Sequence, residues 1–279
     1  MRGKVVVVTG GTSGIGQVAA EQLAGMGARI VLVARDPART QATLERLRQA
    51  GPGVEHSAHL ADLARIADTR RVGAEIAATE PRIDVLINNA GALFNTRQLS
   101  ADGLEMTFAV NHMAYFVLTE ALLPRLTASA PARIVSTASA AHSGAMLDFD
   151  DLQMAKGYSG FGAYGRSKLA NILFTHELAR RLSGTGVTAN CLHPGFVATR
   201  FGDSSGGLTQ LIMPIAKLFA ISPQKGAETI AYLACSPDVA STTGLYFSQY
   251  RPTTPSPEAQ DDAAAARLWA ESEAIAAAA

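Results

Sequence analysis

Tyr164 stands four positions before Lys168 in the stretch Tyr164-Gly165-Arg166-Ser167-Lys168, and four positions is one helical turn. On a helix the phenol and the ammonium therefore project from the same face. A free tyrosine, with a pKa near ~10, is a poor proton donor or acceptor at neutral pH. An ammonium held nearby favours the phenolate and draws the phenol toward the range where acid/base chemistry is efficient. Alone, the pair is an ordinary helix-surface spacing. It gains weight from Thr9-Gly10-Gly11-Thr12-Ser13-Gly14-Ile15-Gly16, far upstream. That glycine-rich stretch follows the apolar run Lys4-Val5-Val6-Val7-Val8 and opens a helical pattern from Ile15 to Met26 that ends at Gly27. Strand, glycine loop and helix in this order present backbone N–H groups and a helix N-terminus to a pyrophosphate. The spacing is Gly-x-x-x-Gly-x-Gly, which differs from the commonest dinucleotide fingerprint, Gly-x-Gly-x-x-Gly.

The elements that must position these groups alternate along the chain. Strands are expected at Val5–Thr9, Arg29–Ala34, Val54–His59, Val85–Asn88, Arg133–Thr137, Thr188–His193 and Leu245–Phe247. Helices are expected near 14–26, 37–50, 63–79, 102–128, 162–183 and 223–235. Such alternation predicts an α/β fold: a doubly wound parallel sheet, helices on both faces, right-handed crossovers. No repeat or interdomain linker interrupts it, so residues 1–279 read as one domain. Ligands in these sheets bind beyond the carboxyl ends of the strands. Gly10, Asn89, Ser139 and Pro194 all fall at such ends. Arg251 to Asp262 is a Pro-rich surface segment, and an Ala-rich helical tail from Ala263 is anchored by Leu268 and Trp269, with its last alanines frayed.

Composition narrows the function classes. Lys+Arg and Asp+Glu both number 24, so no global basic field serves nucleic acid or acidic lipid. Cys191 and Cys235 lack metal-ligand spacing and read as small apolar filler in a reducing compartment. The six histidines, among them His112, His142, His176 and His193, show no zinc-type clustering. The carboxylates of Asp148-Phe149-Asp150-Asp151-Leu152 read as a solvated loop, so no metal is expected. The first residues run straight into a strand, and no apolar stretch reaches the ~20 residues of a membrane span. The expectation is a cytoplasmic protein without an integral membrane segment.

With these motifs in order, the chain resembles the short-chain dehydrogenase/reductase family from about Lys4 to Phe247. The matching pieces are Thr9 to Gly16, Asp62-Leu63, Asn88-Asn89-Ala90-Gly91, Asn111, Ser139, Tyr164 with Lys168, Pro194-Gly195 and Thr199. The finer likeness is to the retinol dehydrogenase and WW-domain oxidoreductase group, carried by Ala163 to Phe174, His193 to Thr199 and Ser222 to Phe247. Ser139 lies 25 residues before Tyr164, about twice the usual family separation, and that group has a similar insert.

The resemblance implies a Rossmann-type fold and hydride transfer between a nicotinamide and a carbonyl or alcohol carbon. It implies Tyr164 as general acid/base, Lys168 as the group that lowers its pKa and holds the nicotinamide ribose, Ser139 as the oxyanion donor, and Asn111 as the holder of a water. Ser136 competes with Ser139 by type, and Tyr158 competes with Tyr164, but neither matches the family position. The implied cofactor contacts are Gly10, Thr12, Ser13, Gly14, Ile15, Arg35, Asp62, Leu63, Asn89, Ala90, Gly91, Tyr164, Lys168, Pro194, Val197 and Thr199. Arg35, at the end of the second strand, suits a 2′-phosphate and points to NADP(H); the Asp36 carboxylate is the contrary sign, able to take a ribose hydroxyl and favour NAD(H), but before Pro37 it reads as a helix N-cap. The glycines of Arg200–Gly207 and the apolar stretch Leu208–Ile221 suit a substrate lid near 200–221, with an interface or a membrane-surface contact as competing readings. The expected partner is a small apolar carbonyl or alcohol, with self-association left open. A catalytically silent nucleotide-binding sensor or scaffold and a carbon–carbon double-bond reductase are the alternative classes.

Overall fold

Val5 to Val8 are β-branched and almost wholly buried, which suits a central strand covered on both faces. Side chains alternate along such a strand, and each face meets its own core. Val5 and Val7 join Val31, Val33, Leu86 and Ile134 on one side, whereas Val6 and Val8 join Ile30, Leu32, Ile87 and Val135 on the other. The computed structural model describes residues 1–195 and 222–279. The expected contacts Val197 and Thr199 and the expected lid lie outside the described residues.

In chain order the elements are β1 (Val5–Thr9), α1 (Gly14–Gly25), β2 (Arg29–Ala34), α2 (Pro37–Ala50), β3 (Ser57–Leu60), α3 (Ile66–Thr79) and β4 (Val85–Asn88). Then come α4 (Met106–Ala128), β5 (Ala132–Thr137), α5 (Gly160–Arg181), β6 (Val187–His193), α6 (Pro223–Cys235), β7 (Tyr246–Ser248), β8 (Arg251–Pro252) and α7 (Asp262–Ala278). The sheet order is β3-β2-β1-β4-β5-β6-β7-β8, parallel except for the last pair. The chain leaves the β3 edge and returns beside β1, so strand order reverses between β1 and β4. That reversal opens a crevice at their carboxyl ends, as expected for a doubly wound sheet.

Differences from the sequence expectation have local causes. β3 begins at Ser57 rather than Val54, because the Ile30 N–H donates to the His56 ring (Nδ1, 3.1 Å) instead of to a strand carbonyl. The β7–β8 hairpin was not expected; Gln249 and Tyr250 turn it at φ +49 and +70. α4 starts at Met106 because the buried Glu105 carboxylate caps the Thr107 and Phe108 N–H groups at 2.9 and 2.8 Å. Within it, Ala109–Met113 forms a π-turn. Contrary to the expectation from the sequence, α4 is long and apolar enough to cross a membrane by length and composition. However, 72 % of its 18-residue apolar window is buried inside the fold, where Phe116, Leu118, Leu122 and Leu126 sit in the core.

The tail helix α7 begins where the Asp261 carboxylate accepts from Ala263 and Ala264 N–H at 2.9 Å each. Trp269 stacks on Phe174 of α5 (centroids 5.8 Å apart) and meets Phe116 of α4 edge-on at 5.0 Å. The Arg181 guanidinium covers its outer face at 4.3 Å.

Candidate functional site

The glycine loop is shaped by how closely β1 and β4 end together. Gly10 has φ +66, and a Cβ there would lie 2.7 Å from the Ala90 Cα. Gly16 is tighter still: its Cβ would lie 2.2 Å from Asn89 Nδ2 and 2.4 Å from the Gly10 carbonyl oxygen. Asn89 fastens the two segments. Its side-chain amide donates to the Thr9 and Gly10 carbonyls at 3.3 Å each, while Thr9 Oγ1 accepts from Asn89 N (2.9 Å) and Ala90 N (3.1 Å).

Thr12, Ser13, Gly14 and Ile15 remain partly or fully exposed at the mouth of this loop. Ser13 occupies the N-cap of α1 but makes no side-chain cap bond, so the first N–H groups of the helix face the mouth uncapped by it. Arg35 is exposed directly after β2. The neighbouring Asp36 carboxylate accepts from Arg39 N at 3.0 Å with Pro37 at the first helical position, as the cap expectation required. Asp62 and Leu63 stand half-buried beside the same strand end, tied there by Ala61 N donating to Ala34 O at 2.9 Å. Uncapped helix amides, glycines that leave the backbone bare and an exposed guanidinium make a donor set that fits a phosphate-bearing dinucleotide. Further along the crevice, a Cβ on Gly91 would lie 3.4 Å from Asn111 Oδ1 and 3.5 Å from Lys168 Nζ. Pro194-Gly195 ends β6, with Gly195 at φ +90.

Asn111, Ser139, Tyr164 and Lys168 come together at this end of the sheet. Asn111 projects from the π-turn of α4. Its Oδ1 accepts from Ala92 N (2.8 Å), and its Nδ2 lies 2.9 Å from both Ala92 O and Ser167 Oγ. Ser139 follows β5; its Oγ accepts from Ala141 N at 3.2 Å, and its hydroxyl stands close enough to Tyr164 to lower the pKa of the phenol. Gly165 permits that meeting, because a Cβ there would lie 2.7 Å from the Ala141 carbonyl oxygen. Lys168 is buried, donates to the Thr137 carbonyl at 3.0 Å and lies 5.5 Å from the centroid of the Tyr164 ring.

Burial, rather than the neighbouring ammonium, dominates both ionisations. It pushes the Tyr164 phenol up to about 12, against the smaller lowering effect of the nearby Ser139 hydroxyl, and pushes Lys168 down to about 7. In this geometry the Lys168 ammonium is directed at the Thr137 carbonyl, on the same side as the Tyr164 ring. The two rival residues stand apart. Ser136 is buried with no partner for its hydroxyl among the described residues, and the Tyr158 hydroxyl sits against Phe94 O (2.8 Å) and Glu105 Oε1 (3.1 Å). Around Asp148–Asp151 the carboxylates accept from nearby backbone N–H groups, Asp148 from Asp150 and Asp151 from Ala155 and Lys156.

Three neighbours were not singled out from the sequence. Tyr115 is fully buried, its hydroxyl has no partner among the described residues, and its ring centroid lies 5.9 Å from Lys168 Nζ. Asn171 donates to the same Thr137 carbonyl as Lys168, at 3.3 Å, and Ser167 links Asn111 to the Tyr164 carbonyl. The signal was available in the spacing of Asn171 three positions after Lys168, one helical turn on the same face.

The short chain dehydrogenase family model matches residues 4–206. Human retinol dehydrogenase 13 is 43 % identical over 97 % of this chain and 83 % of its own length. The crystal structure of an uncharacterized Mycobacterium paratuberculosis protein superposes with a TM-score of 0.79 at 32 % identity, covering 99 % of this chain and 94 % of that one. The Pseudomonas aeruginosa RhlG/NADP active-site complex gives a TM-score of 0.69 at 28 % identity, over 88 % of this chain and 94 % of that one. With this much of its length matched, on a sheet of this order and with these motif residues gathered at one end, the chain belongs to the short chain dehydrogenase family.

Proposed function

We propose that this chain is an NADP(H)-dependent oxidoreductase that interconverts a carbonyl and an alcohol on an apolar substrate, with Tyr164 as the acid/base group. The observation that carries the reading is the gathering of Asn111, Ser139, Tyr164 and Lys168 at one end of the sheet, with Lys168 Nζ 5.5 Å from the centroid of the Tyr164 ring. When bound, a nicotinamide supplies or accepts the hydride. In reduction, the Tyr164 hydroxyl gives its proton to the substrate oxygen while Ser139 Oγ donates a hydrogen bond to the charge developing there. In oxidation the phenolate takes that proton back. Lys168 stabilises the phenolate and holds the nicotinamide ribose. The second lone pair of Asn111 Oδ1 accepts from a water that links Lys168 to solvent.

Support for NADP(H) comes from the exposed Arg35, from the engagement of Asp36 as a cap, and from the NADP complex of the Pseudomonas aeruginosa relative. Support for an apolar substrate comes from the retinol dehydrogenase relatives and from the exposed Met146 and Phe161 on the segment joining Ser139 to Tyr164. The test is a panel of apolar aldehydes, ketones and alcohols followed by nicotinamide absorbance with each cofactor. Turnover with NADPH preferred over NADH is the expected result; no turnover across the panel overturns the reading.

A further inference from the structure

Ser139 is fixed by more than its own strand. Its carbonyl oxygen accepts from the ring of His142 (Nδ1, 2.6 Å) and from His142 N (3.2 Å). The His142 ring is buried, and its other nitrogen, Nε2, accepts from Ser256 N at 3.1 Å. A carbonyl only accepts and a backbone N–H only donates, so these partners define a neutral ring with its proton on Nδ1. Tyr246 meets the ring edge-on at 5.1 Å and fixes its plane. On the other side, Ala140 N donates to His193 Nδ1 at 3.2 Å, so the turn carrying Ser139 is gripped from two directions. Ser256 lies in the Pro-rich segment before α7, beyond residues 4–206 that match the family model.

We propose that His142 is a positioning residue, which transmits the placement of the C-terminal segment at Ser256 to the Ser139 hydroxyl and so sets its aim at the substrate oxygen. The proposal rests on the oxidoreductase reading above. Two independent changes interrupt the path. Ser256 has φ −60, the value a proline ring imposes, and it is preceded by Pro255. Ser256→Pro therefore deletes the donor N–H with the backbone already in the required conformation, and its ring Cδ, which takes the place of that hydrogen, displaces the imidazole from its seat. His142→Leu removes both ring bonds while filling most of the space, and His142→Asn keeps an N–H donor near the Nδ1 position.

A single positioning hydrogen bond corresponds to about two- to tenfold in rate. In the full-length protein with NADPH and an apolar carbonyl, Ser256→Pro should lower kcat by about three- to fivefold and His142→Leu by about tenfold. KM for NADPH should stay within about twofold, because Ser139 faces the substrate. His142→Asn should recover most of the loss, which a merely space-filling histidine would not allow. Ring ¹⁵N spectra should show the Nδ1–H tautomer of His142 in the wild type and a mixture in Ser256→Pro. If His142→Leu does not fold, Ser256→Pro carries the test. Wild-type kcat in the variants, or an unchanged His142 ring spectrum in Ser256→Pro, overturns the inference alone. A wild type without turnover defeats the proposed function and this inference with it.

Discussion

Gly16→Ala asks whether the shape of the glycine loop is what binds the cofactor. The new methyl would lie 2.2 Å from Asn89 Nδ2 and 2.4 Å from the Gly10 carbonyl oxygen. The first contact can yield if the amide swings away, which breaks its 3.3 Å bonds to Thr9 O and Gly10 O. The second is backbone and yields only if the loop moves. Overpacking of this kind costs roughly 1–3 kcal/mol, and two long hydrogen bonds add about 0.5 kcal/mol each. If the loop bears the whole strain of roughly 2–4 kcal/mol, NADPH affinity falls about thirty- to several-hundred-fold. Calorimetric titration of NADPH into wild type, Gly16→Ala, Asn89→Ala and the double variant measures it. Since the Gly10 carbonyl remains in the way, the double variant should still bind about tenfold more weakly than Asn89→Ala alone. A thermal scan finds any share borne by the whole fold, at about 2–4 °C per kcal/mol. Binding within about threefold of wild type at unchanged Tm would refute the reasoning.

Tyr164→Phe should cut turnover by roughly 10²–10⁴-fold while NADPH titration stays near wild type, and turnover that survives the change removes Tyr164 from the acid/base role. Arg35→Ala should weaken NADPH by about ten- to a hundredfold and NADH far less; equal losses for both cofactors contradict the 2′-phosphate contact. With Tyr164 pushed up to about 12, the phenolate fraction rises about tenfold per pH unit across neutrality. Thus kcat/KM for alcohol oxidation should climb with pH, whereas that for reduction should fall as Lys168 loses its charge through about 7. Identical pH profiles in both directions would count against these assignments. Trp269→Ala should cost roughly 3–5 kcal/mol in denaturant unfolding, because it empties the space between Phe116 and Phe174; a loss under about 1 kcal/mol would show that α7 is not part of the core.

Strands packed on both faces were the most legible part of the sequence. β1, β2 and β4 begin and end where their apolar runs do, since burial on both sides leaves no alternation to confuse with a helix. Helices opened by a cap and a proline, α2 after Asp36 and α6 after Ser222, were equally plain. The rest depended on partners distant in sequence. The His56 ring shortens β3 by taking the Ile30 N–H, and nothing in the local pattern announces that. Within the site, the residue types of Asn111, Ser139, Tyr164 and Lys168 were readable, but the direction of the lysine was not. Thr137 draws the ammonium through a backbone carbonyl, which has no side-chain signature. For the same reason the bond between His142 and Ser256 escapes sequence reading, its two ends being 114 residues apart.

The π-turn at Ala109–Met113 carries a consequence for how this chain tolerates changes in length. Each residue of an α-helix rotates the chain by about 100°, and a π-turn is an α-helix with a residue to spare. Downstream of it, Phe116, Leu118, Leu122 and Leu126 must keep facing the core; at it, Asn111 must keep facing Ala92. Deleting one residue between 109 and 113 would mend the helical ladder and leave the flanking faces in register, but it would reset the residues inside the turn, Asn111 among them. The apolar stripe keeps to the core while the amide leaves the crevice. The extra residue thus serves the crevice and not the core, so a single-residue deletion at the turn should leave the fold standing while it removes the Asn111 contact with Ala92.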